Sequence, residues 1–221
     1  MDYNLILFDC DGTLVDTEPL QNLACAQILN EEGLLEFTPA SVAQRFIGTR
    51  FSEMLKIIAA ETGHVFSDTM SKRYVDRVRE LAPMHFRKIE GVQAMVAQAR
   101  ESCKIAVVSN GQRDNIFLSL DMAGLRNFFS DECVLSGLMA VAKPAPDLFL
   151  LAAKTFGEVP EKCLVIEDSV PGVTAGHAAS MDVIGFTGAH GGLPEYGERL
   201  RQAGAGRVYN SFIHMRRDLF A

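Results

Sequence analysis

Hydrophobic positions along this chain fall into two regimes. Short apolar runs recur at Leu5–Phe8, 103–109, 133–135, 163–167 and 183–186. A run without polar alternation suits a strand covered on both faces, as in a parallel sheet with helices above and below. Between these runs the apolar residues follow helical spacing. Pro146 opens and Gly157 closes a helix predicted over 147–156, and Gly124 stops one predicted over 116–123; proline at the start and glycine just past the end are the expected punctuation. Strands alternating with helices predict right-handed crossovers and an α/β fold with a doubly wound, Rossmann-like parallel sheet. After the run at 163–167, Gly172, Ala175, Gly176 and Ala179 give the next helix a small-residue face, so its backbone can pack close to the sheet.

The second regime covers residues 17–84, where the periodicity is helical throughout and no strand pattern stands out. Leu20, Leu23, Ala24, Gln27 and Ile28 form one amphipathic face, and Met54, Leu55, Ile58 and Ala59 form another. A segment this long is no simple crossover. No internal repeat, low-complexity tract or Pro/Ser-rich linker appears, and 190–194 (His-Gly-Gly-Leu-Pro) reads as a surface loop after the last core strand.

Composition narrows the class. The chain has 221 residues, 48% hydrophobic and 22% charged, enough for one sizeable core and a small second unit. A net charge of −7 argues against nucleic acid, because Arg216-Arg217 and Lys72-Arg73 are pairs and not patches. The apolar runs are too short to span a bilayer, and no basic region precedes the first strand as a secretory signal would require. Cys10, Cys25, Cys103, Cys133 and Cys163 are scattered and odd in number, which reads as reduced thiols and a cytoplasmic location. Dispersed surface charge offers no evident interface, so a monomer is expected.

The chemistry concentrates where the first run ends. Asp9 and Asp11 follow Leu5–Phe8 with one residue between them, and Gly12 permits a tight turn just after. Carboxylates two apart on an extended chain share a face, about 6 to 7 Å apart along it, and would emerge together in the crevice at the strand's C-terminal end. Such a pair calls for a cation, and suits one acid attacking an electrophile while the other handles a proton. A calcium loop is the competing reading, but it needs further oxygen ligands and a closing Glu, and it follows a helix. Taken singly, Asn110-Gly111 is a turn signal, Lys143-Pro144 says almost nothing, and Glu167-Asp168-Ser169 can be a strand-end acid with a helix N-cap. The histidines, His64, His85, His177, His190 and His214, show no ligand spacing.

Together these stations carry a resemblance. Asp9-Cys10-Asp11-Gly12-Thr13-Leu14-Val15 resembles the first motif of the haloacid dehalogenase superfamily of phosphohydrolases. Ser109-Asn110-Gly111, Lys143-Pro144 and Glu167-Asp168-Ser169 resemble its second, third and fourth, in the family's order. The resemblance implies a core over 1–16 and 85–221 and an inserted α-helical cap over 17–84, with hinge strands at 16–18 and 82–85. It further implies a Mg²⁺-dependent phosphatase acting on a small phosphate ester through an aspartyl-phosphate. Asp9 would be nucleophile and metal ligand. Asp11 would be the acid and then the base, lending its carbonyl to the metal. Asp168 would be the second carboxylate ligand, and Glu167 an outer or occasional one. Ser109 and the Asn110 and Gly111 amides would hold phosphate oxygens, and the Lys143 ammonium would neutralise charge.

The cap stretch 45–50 resembles the substrate-facing loop of sugar-phosphate-acting members, with Arg50 as the expected substrate contact, ahead of Arg45. An Arg there suits a second anionic group, so phosphosugars and phosphosugar acids, 6-phosphogluconate among them, are the expected substrates. β-Phosphoglucomutase shares the cap and all four motifs but has a cap histidine and a lysine where this chain has Gln21 and Ile47, which favours hydrolysis over mutase activity. The dehalogenases lack the metal site, so Asp11 and Asp168 argue against them. A phosphonate hydrolase would need a Schiff-base lysine, and nothing marks Lys56 or Lys72. A non-catalytic phosphosugar-binding protein is the alternative from another class, and the intact Asp9 and Asp11 speak against it.

Overall fold

The computed structural model describes residues 2–46, 49 and 51–221. The chain divides into two units, one formed by residues up to Asp16 together with Arg87–Ala221, the other by Thr17–Phe86.

The larger unit is built on a six-stranded sheet. Its strands are β1 (Leu5–Phe8), β4 (Lys104–Ser109), β5 (Val134–Ser136), β6 (Cys163–Glu167), β7 (Asp182–Phe186) and β8 (Arg207–Tyr209), in the order β5-β4-β1-β6-β7-β8. Every pairing is parallel, with Leu7 of β1 level with Ala106 on one side and Val165 on the other. All four residues of β1 are buried, and burying one large apolar side chain fully is worth about 1.5–3 kcal/mol. Alternation splits them between two layers. Leu5 and Leu7 join a core with Leu148, Phe149 and Ala152 of α7 (Asp147–Phe156), Val173 and Ala175 of α8 (Val170–Ala178), and Leu200 of α9 (Pro194–Ala203). Phe8 points the other way and meets Phe129 edge-on, ring centroids 6.4 Å apart. On α10 (Phe212–Leu219), which packs against α5 (Val92–Ser102), Phe212 stacks with Phe186 at 4.4 Å. The helix α6 (Arg113–Ala123) ends at Gly124 in the left-handed conformation, and α7 ends likewise at Gly157.

A short antiparallel pair, β2 (Val15–Asp16) with β3 (Arg87–Lys88), closes the excursion between β1 and α5. The hinge strands expected at 16–18 and 82–85 are therefore displaced. Residues 82–85 are the last turn of helix α4 (Met70–His85), which runs through Pro83, and the Phe86 amide still donates to the Ala82 carbonyl at 3.0 Å. Proline removes one ladder bond but does not stop the next residues from closing theirs.

The smaller unit consists of α1 (Glu18–Glu31), α2 (Pro39–Arg45), α3 (Phe51–Thr62) and α4, with no strand among its described residues. Its core gathers Cys25, Ile28 and Leu29 of α1, Val42 of α2, Met54, Leu55 and Ile58 of α3, and Met70 of α4. Thr38 and Ser41 form a reciprocal capping box that starts α2. Arg73 and Arg77 of α4 reach Gln27 and Glu31 of α1 and Glu32 just past its end, tying the two helices along their polar edges. Among the described residues no helix is long and apolar enough to cross a membrane.

Candidate active site

The strand order reverses at β1: the chain goes from β1 to β4 on one side, then later to β6 on the other. Such a switch opens a crevice at the strands' C-terminal ends, where open α/β sheets bind their ligands. Asp9 leaves β1 there, Ser109 ends β4, Glu167 ends β6 and Asp168 follows it. A compact turn shapes the first of these exits. The amides of Leu14 and Val15 both donate to the Cys10 carbonyl, at 2.9 and 3.1 Å, and the Gly12 amide donates to the Val15 carbonyl at 2.7 Å. Gly12 has φ of +86°, and a Cβ on it would sit 2.0 Å from Oδ2 of Asp168. Glycine is thus required twice, by conformation and by the closeness of the carboxylate.

Lys143 is the hub of the site. Its ammonium donates to Asp9 Oδ1 at 2.7 Å, to Glu167 Oε1 at 2.8 Å and to the Val108 carbonyl at 2.7 Å, so all three N–H groups are used. Its side chain is only 3% exposed, and the nitrogen lies 4.8 Å from the centre of the Phe149 ring. Burial alone would lower its pKa, but the two carboxylates outweigh that and hold it above the ordinary lysine value. The segment carrying it is clamped by Asn110. The Asn110 side-chain amide donates to the Lys143 carbonyl at 3.1 Å, and its oxygen accepts from the Lys143 amide at 2.9 Å. The Lys143–Pro144 peptide is cis.

Glu167 is enclosed. Oε1 takes Lys143, while Oε2 accepts from the Ser169 amide at 2.7 Å and its hydroxyl at 2.9 Å. It lies against the first turn of α8, where a Cβ on Gly172 would come within 1.7 Å of Oε1. Gly172 therefore makes room for this carboxylate, whereas Gly176 provides the close approach to the sheet, its notional Cβ being 2.9 Å from Val183. Asp168 is also held at both oxygens: Thr13 donates to Oδ1 at 3.0 Å, and Nε2 of His190 lies 2.7 Å from Oδ2. Burial is the largest cause lifting the Asp168 pKa to about 6, with Glu167 adding to it and His190 opposing it. Asp9 is likewise raised well above the carboxylate range, first by burial, with Glu167 and Asp168 adding to the rise and Lys143 pulling against it.

Asp9, Glu167 and Asp168 place carboxylate oxygens within 4.8 Å of one another, all buried. Three acids faced by one ammonium leave, when ionised, a surplus of two negative charges, the charge of one divalent cation. The donors are all oxygen, which suits a hard ion such as Mg²⁺. These residues fit a bound divalent metal.

The remaining expected residues are distributed as follows. Asp11 is partly buried and faces the second motif, since a Cβ on Gly111 would lie 3.9 Å from its Oδ2. Ser109 is buried, and its hydroxyl accepts from the Gly111 amide at 3.0 Å. That amide is thus turned onto Ser109, and the Asn110 side chain is committed to Lys143. Arg50, the expected substrate contact, lies outside the described residues, as do Ile47 and Gly48. Arg45 pairs with Glu61 of its own unit and lies over the Phe46 ring at 5.0 Å, a structural engagement. Cys10 is buried with its thiol pKa pushed well up by burial and the flanking acids, so it packs and does not react. His190 was passed over by its sequence context, a glycine-rich loop, yet it touches Asp168.

Comparison with known proteins finds one matching family and several similar phosphatases. The family profile of haloacid dehalogenase-like hydrolases matches residues 6–186. A 6-phosphogluconate phosphatase of Escherichia coli is 31% identical over 182 residues, covering 82% of this chain and 81% of its own. A fructose-1-phosphate phosphatase of the same organism is 30% identical, covering 82% of this chain and 95% of its own. Among solved structures, a HAD family hydrolase from Deinococcus radiodurans with bound phosphate and sodium superposes with a TM-score of 0.79 at 31% identity, covering 99% of this chain and 95% of its own.

Proposed function

Because this chain belongs to the haloacid dehalogenase-like hydrolases and is a phosphatase of that family, we propose that it hydrolyses small phosphosugars or phosphosugar acids through an aspartyl-phosphate on Asp9. The observation that carries the reading is the buried Lys143–Asp9 contact at 2.7 Å beside Glu167 and Asp168. One Asp9 oxygen is tied to the ammonium, and the other is left to attack. The names of the two phosphatase relatives support the substrate class.

A carboxylate approaching a phosphate ester meets repulsion of about 4 kcal/mol per pair of unit charges at about 4 Å and an effective dielectric near 20. Lys143 offsets part of this. Asp9, Asp168 and the Asp11 carbonyl would hold Mg²⁺, with Glu167 behind them; when bound, the ion neutralises charge on the phosphoryl oxygens. In the first half-reaction an Asp9 oxygen attacks phosphorus, the bond from phosphorus to the sugar oxygen breaks, and protonated Asp11 gives its proton to the departing alkoxide. In the second, Asp11 takes a proton from water, the water oxygen attacks phosphorus, and the bond to Asp9 breaks to release inorganic phosphate. The Ser109 hydroxyl steadies a phosphate oxygen at the head of α6.

Phosphate release from a panel of phosphosugars and phosphosugar acids tests this, with Asp9→Asn and a chelator as controls. Release that both controls abolish is the expected result. A folded, Mg²⁺-loaded protein that releases phosphate from no panel member would overturn the substrate assignment, and full activity in Asp9→Asn would overturn the nucleophile.

A further inference from the structure

The loop after β7 delivers a side chain that the four motifs leave out. His190 Nε2 lies 2.7 Å from Oδ2 of Asp168, while Thr13 donates to the other oxygen, Oδ1, at 3.0 Å. An ionised carboxylate has no proton to give, so with Asp168 ionised Nε2 carries the hydrogen and donates it. The imidazole is not among the groups whose donor atoms lie within 4.8 Å of one another around Asp9, Glu167 and Asp168. His190 thus touches one member of the three-acid group without being part of it. The ring is itself supported, with Tyr196 of α9 4.3 Å away between centroids and the Arg199 guanidinium 5.4 Å from the far ring.

The backbone holding His190 is closed on itself. The Thr187 carbonyl accepts from the amides of both His190, at 3.0 Å, and Gly192, at 2.9 Å, while the Thr187 amide donates to Tyr209 at the end of β8. Gly188 has room for no side chain, since a Cβ there would lie 2.3 Å from the Phe186 ring. The imidazole is therefore placed by a folded turn anchored on the sheet.

We propose that His190 is a positioning residue for the metal carboxylate Asp168, fixing its plane and rotamer so that its remaining lone pairs aim at the cation. Each Asp168 oxygen accepts one hydrogen bond, from Thr13 or His190, and keeps one lone-pair direction for the metal. Thr13 comes from the first motif and His190 from the loop after β7, so two distant parts of the chain set the angle of one ligand. This rests on the metal reading above. Partners of this kind typically set metal affinity by about 10- to 100-fold.

Mn²⁺ binding followed by electron paramagnetic resonance, with melting of the metal-free protein alongside, separates the possibilities. The variants are His190→Leu, His190→Gln and Asp168→Asn. The expected result is Mn²⁺ binding weakened about 10- to 100-fold in His190→Leu at little change in metal-free melting, largely restored in His190→Gln, whose amide still donates. Wild-type affinity in His190→Leu would overturn the proposal, as would Gln binding as weakly as Leu. Wild-type protein that binds no Mn²⁺, or Asp168→Asn that binds it equally well, would instead sink the metal reading. If His190→Leu does not fold, Tyr196→Leu carries the test: it loosens the ring and should weaken Mn²⁺ in the same direction, and unchanged affinity there counts against the proposal.

Discussion

Replacing Lys143 with methionine keeps a long apolar stem beside Phe149 and removes only the charge and its three hydrogen bonds. The two contacts at 2.7 and 2.8 Å correspond to about 6 kcal/mol each at an effective dielectric near 20, before the cost of burying the ammonium. Desolvation cancels much of that, and breaking a buried pair from one side typically costs about 3–5 kcal/mol because the partner is left charged and alone. The dependence on pH is the sharper test. Lys143 is held above its ordinary value, so its contribution in the wild type is complete below the unfolded value of about 10.4 and flat across neutral pH. Asp9 is already raised by burial with Lys143 pulling it down, and without the ammonium it rises further. A carboxyl raised in the folded state is accommodated below its unfolded value of about 3.9 and loses stability as pH climbs through the folded value. Urea unfolding in chelator should therefore show Lys143→Met losing about 3–5 kcal/mol near pH 8 and clearly less near pH 5. Adding Asp9→Asn to that variant should recover stability near pH 8. An equal loss at both pH values, or no recovery in the double variant, would refute the argument that an uncompensated Asp9 causes the damage.

Two further predictions come from the same cluster. Gly172→Ala, which in an ordinary helix interior would stabilise by about 0.5–1 kcal/mol, should here destabilise by about 1–3 kcal/mol, because its Cβ meets Glu167 at 1.7 Å; thermal melting that shows stabilisation would mean Glu167 is not held against α8. Asp9→Asn in the metal-free protein should raise the melting temperature near pH 8 and change it little near pH 4, since the raised Asp9 pKa costs stability only above the unfolded value. A lowered melting temperature near pH 8 would show that the Lys143 pair outweighs the crowding.

The buried strands were legible because a parallel sheet covered on both faces leaves a plain mark: β1, β4, β6 and β7 are uninterrupted apolar runs or nearly so. Their ends shifted by a residue, Cys133 for instance lying in a 3-10 turn before β5. The edge strand β8 left no such mark. Arg207, Val208 and Tyr209 pair on one side only and stay partly exposed, so burial never demanded an apolar run. The hinge strand expected at 82–85 is instead the last turn of α4, since Pro83 forgoes only one ladder bond. The helical faces of the smaller unit were recognisable but too narrow as drawn, because Cys25, Ala26 and Leu29 are buried as well as Ala24 and Ile28.

In the site, legibility tracks how locally each requirement is written. Asp9, Asp11 and Gly12 lie within four residues, and one tight turn explains all of them. Lys143 needed the other stations for its meaning, since nothing local says that its ammonium will meet carboxylates from β1 and β6. His190 was out of reach for a further reason. It lies 22 residues from Asp168, in a loop whose glycines suggest only a turn, and the contact exists because β6 and β7 are parallel neighbours. Parallel neighbours open their C-terminal loops at the same end of the sheet, so His190, four residues past the end of β7, emerges beside Asp168, the residue just after β6. Hydrophobic periodicity reports which segments are strands and leaves strand order open. A search for partners of Asp168 becomes specific only once that order is known, and it then points to the turn after β7.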